Sequence, residues 1–232
     1  MIKNLFVSIK NFIFKIVPKY AVVPLLLCLV ANLVAYYGST IVVDGFGLQR
    51  YSAAIPLDYA IPFIPGWIIV YFGCYISWAA FYIIACRESK KACFDFVTAE
   101  VIAKMISLVI FIIYPTEMLE RGGFEQTLGN GFFDQVTAFM FNCDRPINLF
   151  PSIHCLASWI GFRGVAMCKK VPLWVKWFAF ILAILVFLST LFVKQHYIID
   201  IFGGILAVEI GMFISKKLKL GDFIRRKVYH EQ

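Results

Sequence analysis

The most regular feature of this chain is a series of long apolar runs separated by short polar or basic segments. Each of six runs approaches or exceeds the length of about 17 residues that a helix needs to cross a bilayer. We therefore expect an all-α fold, a polytopic bundle of six transmembrane helices, at 20–37, 67–86, 97–114, 152–168, 174–193 and 197–215. Two long outer loops, 38–66 and 115–150, contain prolines and glycines, which break helices.

The first residues of the chain show an amphipathic pattern. Apolar side chains recur at helical spacing opposite lysine, asparagine and serine, at Ile2, Leu5, Phe6, Ile9, Phe12, Ile13 and Ile16. This pattern predicts an interfacial amphipathic helix over 1–19, ahead of a single six-span membrane domain over 20–232. The alternative for this segment is a positively charged anchor and no more.

The composition indicates a membrane protein. Of the 232 residues, 61% are hydrophobic and only 16% are charged, values outside the range of soluble domains. The bilayer is therefore an expected partner. The net charge of +8 could suggest nucleic acid as another partner. We exclude nucleic acid, because the basic residues sit at the ends of apolar runs and form no stripe interleaved with exposed aromatic side chains.

The distribution of lysine and arginine predicts the orientation of the spans. With a cytoplasmic N-terminus, 17 of these residues fall on the inner side and four, Arg50, Arg121, Arg145 and Lys194, on the outer side. Cytoplasmic segments of membrane proteins carry the excess of positive residues. We therefore expect an integral protein of the cell membrane with both termini in the cytoplasm.

A group of polar residues lies at the outer ends of the spans. His196 and Asp200 are four residues apart, so on a helix they would share a face and touch. A carboxylate beside an imidazole fixes its tautomer and supports its positive charge, as a histidine nucleophile or base requires. Forty-one residues separate His154 from His196, which accommodates one span down, a short turn and one span back. Both imidazoles are therefore expected at the same face.

Other polar residues flank the two histidines at the outer face. They are Arg145, Ser152, Ser189 and Lys194. Ionisable groups are costly at membrane depth, so this group indicates a functional site. The seven cysteines show no C-x-x-C spacing, so they suggest no metal site. The two histidines and Asp200 could in principle form a two-histidine, one-carboxylate metal site, which we regard as the alternative to a phosphoenzyme site.

The sequence resembles the type-2 phosphatidic acid phosphatase superfamily, which has the signatures K-x6-R-P, P-S-G-H and S-R-x5-H-x3-D. The matching residues are Arg145-Pro146, Pro151-Ser152-Ile153-His154 and the set Ser189, His196 and Asp200. The loop between Ile55 and Pro65 resembles the branch of lipid phosphatases and inositol-phosphorylceramide-synthase-like proteins. Two signature cations are absent, because Ala138 and Thr190 occupy their positions.

The resemblance implies a role for each site residue. His196 would attack phosphorus and form a phosphohistidine, while Asp200 holds its ring. His154 would protonate the leaving alkoxide and then activate water. The remaining residues would bind phosphate, without a metal or another cofactor: Arg145, Ser152, Ser189 and Lys194, the last in place of a missing cation.

The expected function is therefore that of an integral membrane lipid phosphatase, a metal-independent phosphoric monoester hydrolase. It would hydrolyse a phosphomonoester or diphosphate bond of a lipid phosphate substrate at the extracytoplasmic face. A lipid head-group phosphotransferase, with a lipid or polyol hydroxyl as acceptor, is the alternative. A non-enzymatic lipid transporter or scaffold is a third reading, and the sequence leaves a homo-oligomer open.

Overall fold

The protein is all-helical, as the apolar pattern predicts. The computed structural model describes residues 14–229, and within that range it contains helices and two isolated β-bridges but no strand. The principal helices, in chain order, are α1 (Lys19–Gly45), α2 (Ile68–Glu88), α3 (Lys90–Ile113), α4 (Phe132–Cys143), α5 (Ile153–Met167), α6 (Leu173–Phe192), α7 (Ile198–Lys217) and α8 (Leu220–Tyr229).

Five of these helices, α1, α2, α3, α6 and α7, are long and apolar enough to cross a membrane. The chain is therefore an integral membrane protein. The predicted fourth span corresponds to α5, which has 15 residues, or about 22 Å at 1.5 Å per residue. It is shorter than the other five, so the count of six spans stays a prediction. The predicted amphipathic helix over 1–19 lies mostly outside the described residues.

The first predicted loop begins later than the sequence pattern suggests. Helix α1 continues through Gly38 and ends at Gly45, with a π-helical turn at Val34–Gly38. The Ser39 hydroxyl donates to the carbonyl oxygen of Ala35 at 2.6 Å and so stays within the helix. A glycine breaks a helix only when no tertiary packing holds it, and α1 packs against α3 here.

Helix α5 lies at the centre of the bundle and packs against α2, α3, α6 and α7. It runs antiparallel to α6, since Cys155 near its start contacts Thr190 near the end of α6. Close helix contact at α7 requires glycine. A Cβ atom at Gly204 would lie 2.7 Å from the carbonyl oxygen of Ser152. The starts of α5 and α7 and the end of α6 therefore meet at one end of the bundle.

Candidate active site

The first part of the site is the start of α7. The Asp200 carboxylate accepts a hydrogen bond from the backbone N–H of Tyr197 at 2.8 Å, which caps the helix. The same Oδ2 lies 3.3 Å from Nδ1 of His196. The predicted contact of His196 with Asp200 is therefore present, but His196 precedes the helix. A turn, in which the His196 N–H donates to the carbonyl of Thr190, holds the histidine there.

The second part of the site is the first turn of α5. The hydroxyl of Ser152 accepts from the backbone N–H of Cys155 at 3.2 Å and caps the helix. His154 follows in the first turn, with its Nε2 3.3 Å from the hydroxyl of Tyr75. Its ring contacts Tyr71 at a centroid distance of 4.6 Å. The same ring lies 5.7 Å from the ring of His196. The structure therefore brings the two predicted histidines together.

A cavity of about 260 Å³ opens in front of the two histidines. Its walls combine aromatic side chains with a few polar groups, among them His154, His196, Asp144 and Arg145. The carboxylate of Asp144 accepts hydrogen bonds from two tyrosines, Tyr36 at 2.9 Å and Tyr71 at 3.0 Å. An apolar cavity with a few convergent polar groups is typical of a substrate site.

Arg145 is the one predicted phosphate-binding residue that lines this cavity. Its side chain is 60% exposed, and its Nη1 lies 3.2 Å from the Asp44 carboxylate at the end of α1. Asp44 also pairs with Arg50 at 2.6 Å. An exposed ion pair of this kind has little net stability, so Asp44 holds the guanidinium only weakly.

The other three predicted phosphate ligands make different contacts. Ser189 donates to the carbonyl of Val186 within α6 at 2.7 Å, and Ser152 serves as the cap described above. Lys194 is 5% exposed, and its ammonium donates to the carbonyl of Ile61 at 2.6 Å. Burial lowers the pKa of Lys194. It lines a separate cavity of about 50 Å³, which His196 also lines.

Sequence reasoning did not single out Arg121, which the structure places directly behind the site. Arg121 is buried and donates to the side-chain oxygen of Gln195 at 3.1 Å and to the carbonyl of Asp144 at 2.6 Å. It therefore joins the loop before His196 to the loop that carries Arg145. A lone arginine before two glycines in a predicted loop gives no sequence signal for such a role.

Potential metal ligands do not cluster at this site. Across residues 14–229, no group of three or more histidine, cysteine, aspartate or glutamate side chains is arranged to hold a metal ion. The other carboxylate oxygen of Asp200, Oδ1, contacts neither His196 nor Tyr197. It is buried and has no hydrogen-bond partner among residues 14–229. A second donor from a bound substrate or a water would satisfy that oxygen.

Comparison with known proteins identifies the family. The family model described as the PAP2 superfamily matches residues 68–214, which is more than half of the chain and includes both histidines and Asp200. No curated protein and no solved structure gives a significant match. The chain therefore belongs to the PAP2 superfamily, which is the type-2 phosphatidic acid phosphatase superfamily, and is a membrane protein of the phosphatase type.

Proposed function

We propose that the protein is a membrane lipid phosphatase that acts through a phosphohistidine on His196. The observation that carries the proposal is the placement of two imidazoles 5.7 Å apart on one cavity, with a buried carboxylate behind His196. Asp200 contacts Nδ1 of His196, so Nε2 is the nitrogen left to attack phosphorus. A phosphoryl group in the cavity would contact both rings.

The proposed reaction has two steps. In the first, Nε2 of His196 forms a bond to phosphorus, the bond from phosphorus to the lipid oxygen breaks, and protonated His154 gives that oxygen its proton. In the second, His154 takes a proton from water, the water oxygen bonds to phosphorus, and the N–P bond breaks. Asp200 stabilises the positive charge that develops on His196.

Arg145 is the proposed cation for the phosphoryl oxygens, because it lines the cavity and its present partner is an exposed carboxylate. The N–H groups at the start of α5 would add donors, since a helix N-terminus favours anions. For Ser152 and Ser189 we propose a positioning role, through the helices they stabilise. Lys194 lines a small cavity together with His196 and would raise the positive potential there.

A further cavity, which we call the groove, supports a lipid as the substrate. It has a volume of about 390 Å³, lies between α1, α2 and α3, and shares Asn32, Tyr75 and Trp78 with the histidine cavity. Its walls are mostly apolar, with Leu25, Leu29, Ala79 and Ile83 among them. At its far side the Lys104 ammonium is neutralised by Glu100 at 2.6 Å. We propose that this groove holds the hydrocarbon chain of the substrate.

We further propose six membrane crossings and an extracytoplasmic active site. Two pairs of helices adjacent in sequence run in opposite directions. The Tyr20 hydroxyl near the start of α1 donates a hydrogen bond to the carbonyl oxygen of Cys86 near the end of α2, and α5 runs antiparallel to α6. The 17-to-4 distribution of basic residues supports a cytoplasmic location for the end opposite the histidines.

Labelling of single cysteines tests this sidedness. In a variant with the exposed Cys143 changed to serine, Asn130→Cys should react with an impermeant thiol reagent in intact cells. Lys170→Cys, in the turn between α5 and α6, should react only after permeabilisation. The reverse pattern would overturn the proposed orientation.

A substrate panel tests the activity. Purified protein is given labelled phosphatidate, phosphatidylglycerophosphate and polyprenyl diphosphate, with and without a polyol acceptor. Release of free phosphate is expected. A new phosphodiester in place of phosphate would assign a phosphotransferase, and no turnover of any lipid by folded protein would favour a transporter or scaffold.

The groove has its own test within the same assay. Ala79→Phe would occupy the groove, and we expect a higher KM for long-chain phosphatidate but not for a short-chain analogue. Ala80→Phe is the matched control, because Ala80 is exposed and does not line either cavity. Equal effects of the two variants would argue against the groove as the chain site.

A further inference from the structure

The end of the bundle opposite the two histidines contains a larger cavity, with a volume of about 480 Å³. It lies between the start of α3, the ends of α5 and α7, and the turn into α8. Its inner walls are apolar and include Phe96, Ile160, Met212 and Phe213. It does not include any residue of the candidate active site, so the catalytic reaction does not account for it.

The charged groups around this cavity leave a positive surplus. Three cations balance its three carboxylates: Lys91 contacts Asp95 at 2.7 Å and Asp222 at 3.1 Å, Arg225 also contacts Asp222 at 3.4 Å, and Arg163 contacts Glu209 at 3.1 Å. Two further lysines, Lys216 and Lys219, also line the cavity and are exposed. Neither lysine ammonium has an ion-pair partner among residues 14–229. These two charges are therefore available to an anionic ligand.

Close packing holds Lys219 at the rim of this cavity. Lys219 has a φ of +50° in the turn between α7 and α8. Just beyond it, Gly221 contacts α3 so closely that a Cβ atom there would lie 2.8 Å from the Cα of Asp95. The turn that carries Lys219 is thus packed against the start of α3.

The surroundings of the cavity match the boundary between hydrocarbon and head groups. Helix α8 is amphipathic, with exposed apolar residues such as Phe223 and Val228 beside the basic Arg226 and Lys227. A short helix of this kind lies in the membrane interface. On α7, Phe213 lines the cavity mouth, is exposed and lies one turn before Lys217, where the helix ends. The cavity therefore has apolar walls at the depth of lipid chains and cations at the depth of lipid phosphates.

We propose that this cavity is a binding site for an anionic phospholipid from the leaflet at that end of the bundle. The lipid phosphate would pair with Lys216 and Lys219, and part of a chain would lie against Phe213 and Met167. Basic pockets between transmembrane helices bind anionic head groups in this way. A free phosphate would leave the apolar walls unoccupied. The site is separate from the proposed phosphatase reaction and does not depend on it.

Native mass spectrometry of the purified protein, titrated with phosphatidylglycerol, tests the proposal. Each cation near a membrane phosphate contributes about 1 kcal/mol, which corresponds to a factor of about five in affinity. Lys216→Gln and Lys219→Gln should each lower the affinity for the first bound lipid by about fivefold, and the double variant should lower it by about 30-fold. Lys217→Gln is the matched control, since Lys217 does not line the cavity and its ammonium lies over the Phe213 ring, 5.4 Å from the ring centroid.

Four results would overturn this proposal. Equal losses for Lys217→Gln and Lys219→Gln would show diffuse attraction with no defined site. Equal affinity for zwitterionic phosphatidylcholine would remove the role of charge. Competition by glycerol phosphate at equal concentration would assign the site to a soluble phosphate. Met212→Trp, which fills the cavity and keeps the cations, should also lower the affinity for the lipid. Unchanged affinity in this variant would contradict the placement of the lipid in the cavity.

Discussion

The two sides of the candidate active site differ in how firmly they are held. On the histidine side, His196 is 7% exposed, Asp200 is fully buried, and both are tied to the start of α7 by the cap on Tyr197. On the phosphate side, Arg145 is 60% exposed and pairs with Asp44 across the cavity rim. The proposed nucleophile is thus preorganised, whereas the proposed phosphate-binding cation would have to exchange a partner to bind substrate.

The largest effect should follow from removal of the preorganised nucleophile. His196→Gln keeps the approximate size of the side chain but has no nucleophilic nitrogen. We expect turnover of lipid phosphate to fall by about 10⁴-fold or more. The measurement is phosphate release by purified variant protein that retains its elution volume on size exclusion. Residual activity above about one per cent would mean that the nucleophile lies elsewhere.

Loss of the second imidazole should depend on the leaving group. His154→Ala removes the proposed general acid, and we expect a fall of about 10²- to 10⁴-fold with a lipid alkoxide. An aryl phosphate needs little protonation to leave, so its first step should change far less. Burst kinetics with the aryl substrate measure that step. An equal loss with both substrates would assign His154 a role other than general acid.

A comparison of two arginines tests the phosphate side of the site. Arg145→Gln should raise KM by about tenfold or more with little change in thermal stability, because Arg145 is exposed and is the proposed phosphate ligand. Arg121→Gln should instead lower the free energy of unfolding by about 2–4 kcal/mol, because its carbonyl and Gln195 partners stay buried. Thermal unfolding and initial rates are measured on both variants. A stability loss confined to Arg145→Gln would invert the two roles.

A smaller effect is expected when the partner of Arg145 is changed. Asp44→Asn removes the carboxylate that competes with phosphate for the guanidinium. KM should fall by about two- to threefold at low ionic strength, and the effect should shrink at high salt. Lys91→Gln, in the ion pairs at the opposite end, is a control for general effects of charge removal. A higher KM in Asp44→Asn would show that the ion pair holds Arg145 in its binding position.

Removal of divalent ions should have the smallest effect. Arg145 and the α5 amides carry the charge stabilisation in the proposed mechanism, so activity should stay within about twofold after treatment with a chelator. Rates are compared before and after dialysis against EDTA. Loss of activity with rescue by a divalent ion would favour the alternative in which the histidines and Asp200 bind a metal.

The histidine side could be predicted from the sequence because its contacts follow from local spacing. His196 and Asp200 are four residues apart, and their approach needs only one turn at the start of α7. The pairing with His154 also follows, since an apolar hairpin between the two returns them to one end. The observed reason for the contact differs in detail, because Asp200 is a helix cap and His196 lies outside the helix.

The phosphate side could not be predicted in the same way, because its contacts depend on tertiary structure. In the sequence, Lys194 looks available to bind phosphate. In the structure its φ is +54°, its ammonium donates to the carbonyl of Ile61, and it does not line the cavity that contains both histidines. Arg121 is 23 residues from Asp144 in the chain and meets it only in the folded loop.

The central claim is that His196 carries the phosphoryl group, and trapping of the phosphoenzyme tests it most directly. Protein mixed rapidly with phosphatidate labelled in its phosphate is quenched in alkali, where phosphohistidine survives, and the label is located by peptide mapping. We predict label on His196 in the unmodified protein, more of it in His154→Ala, and none in His196→Gln. Label on His154, or single-turnover phosphate release with no labelled protein at any time, would contradict the account.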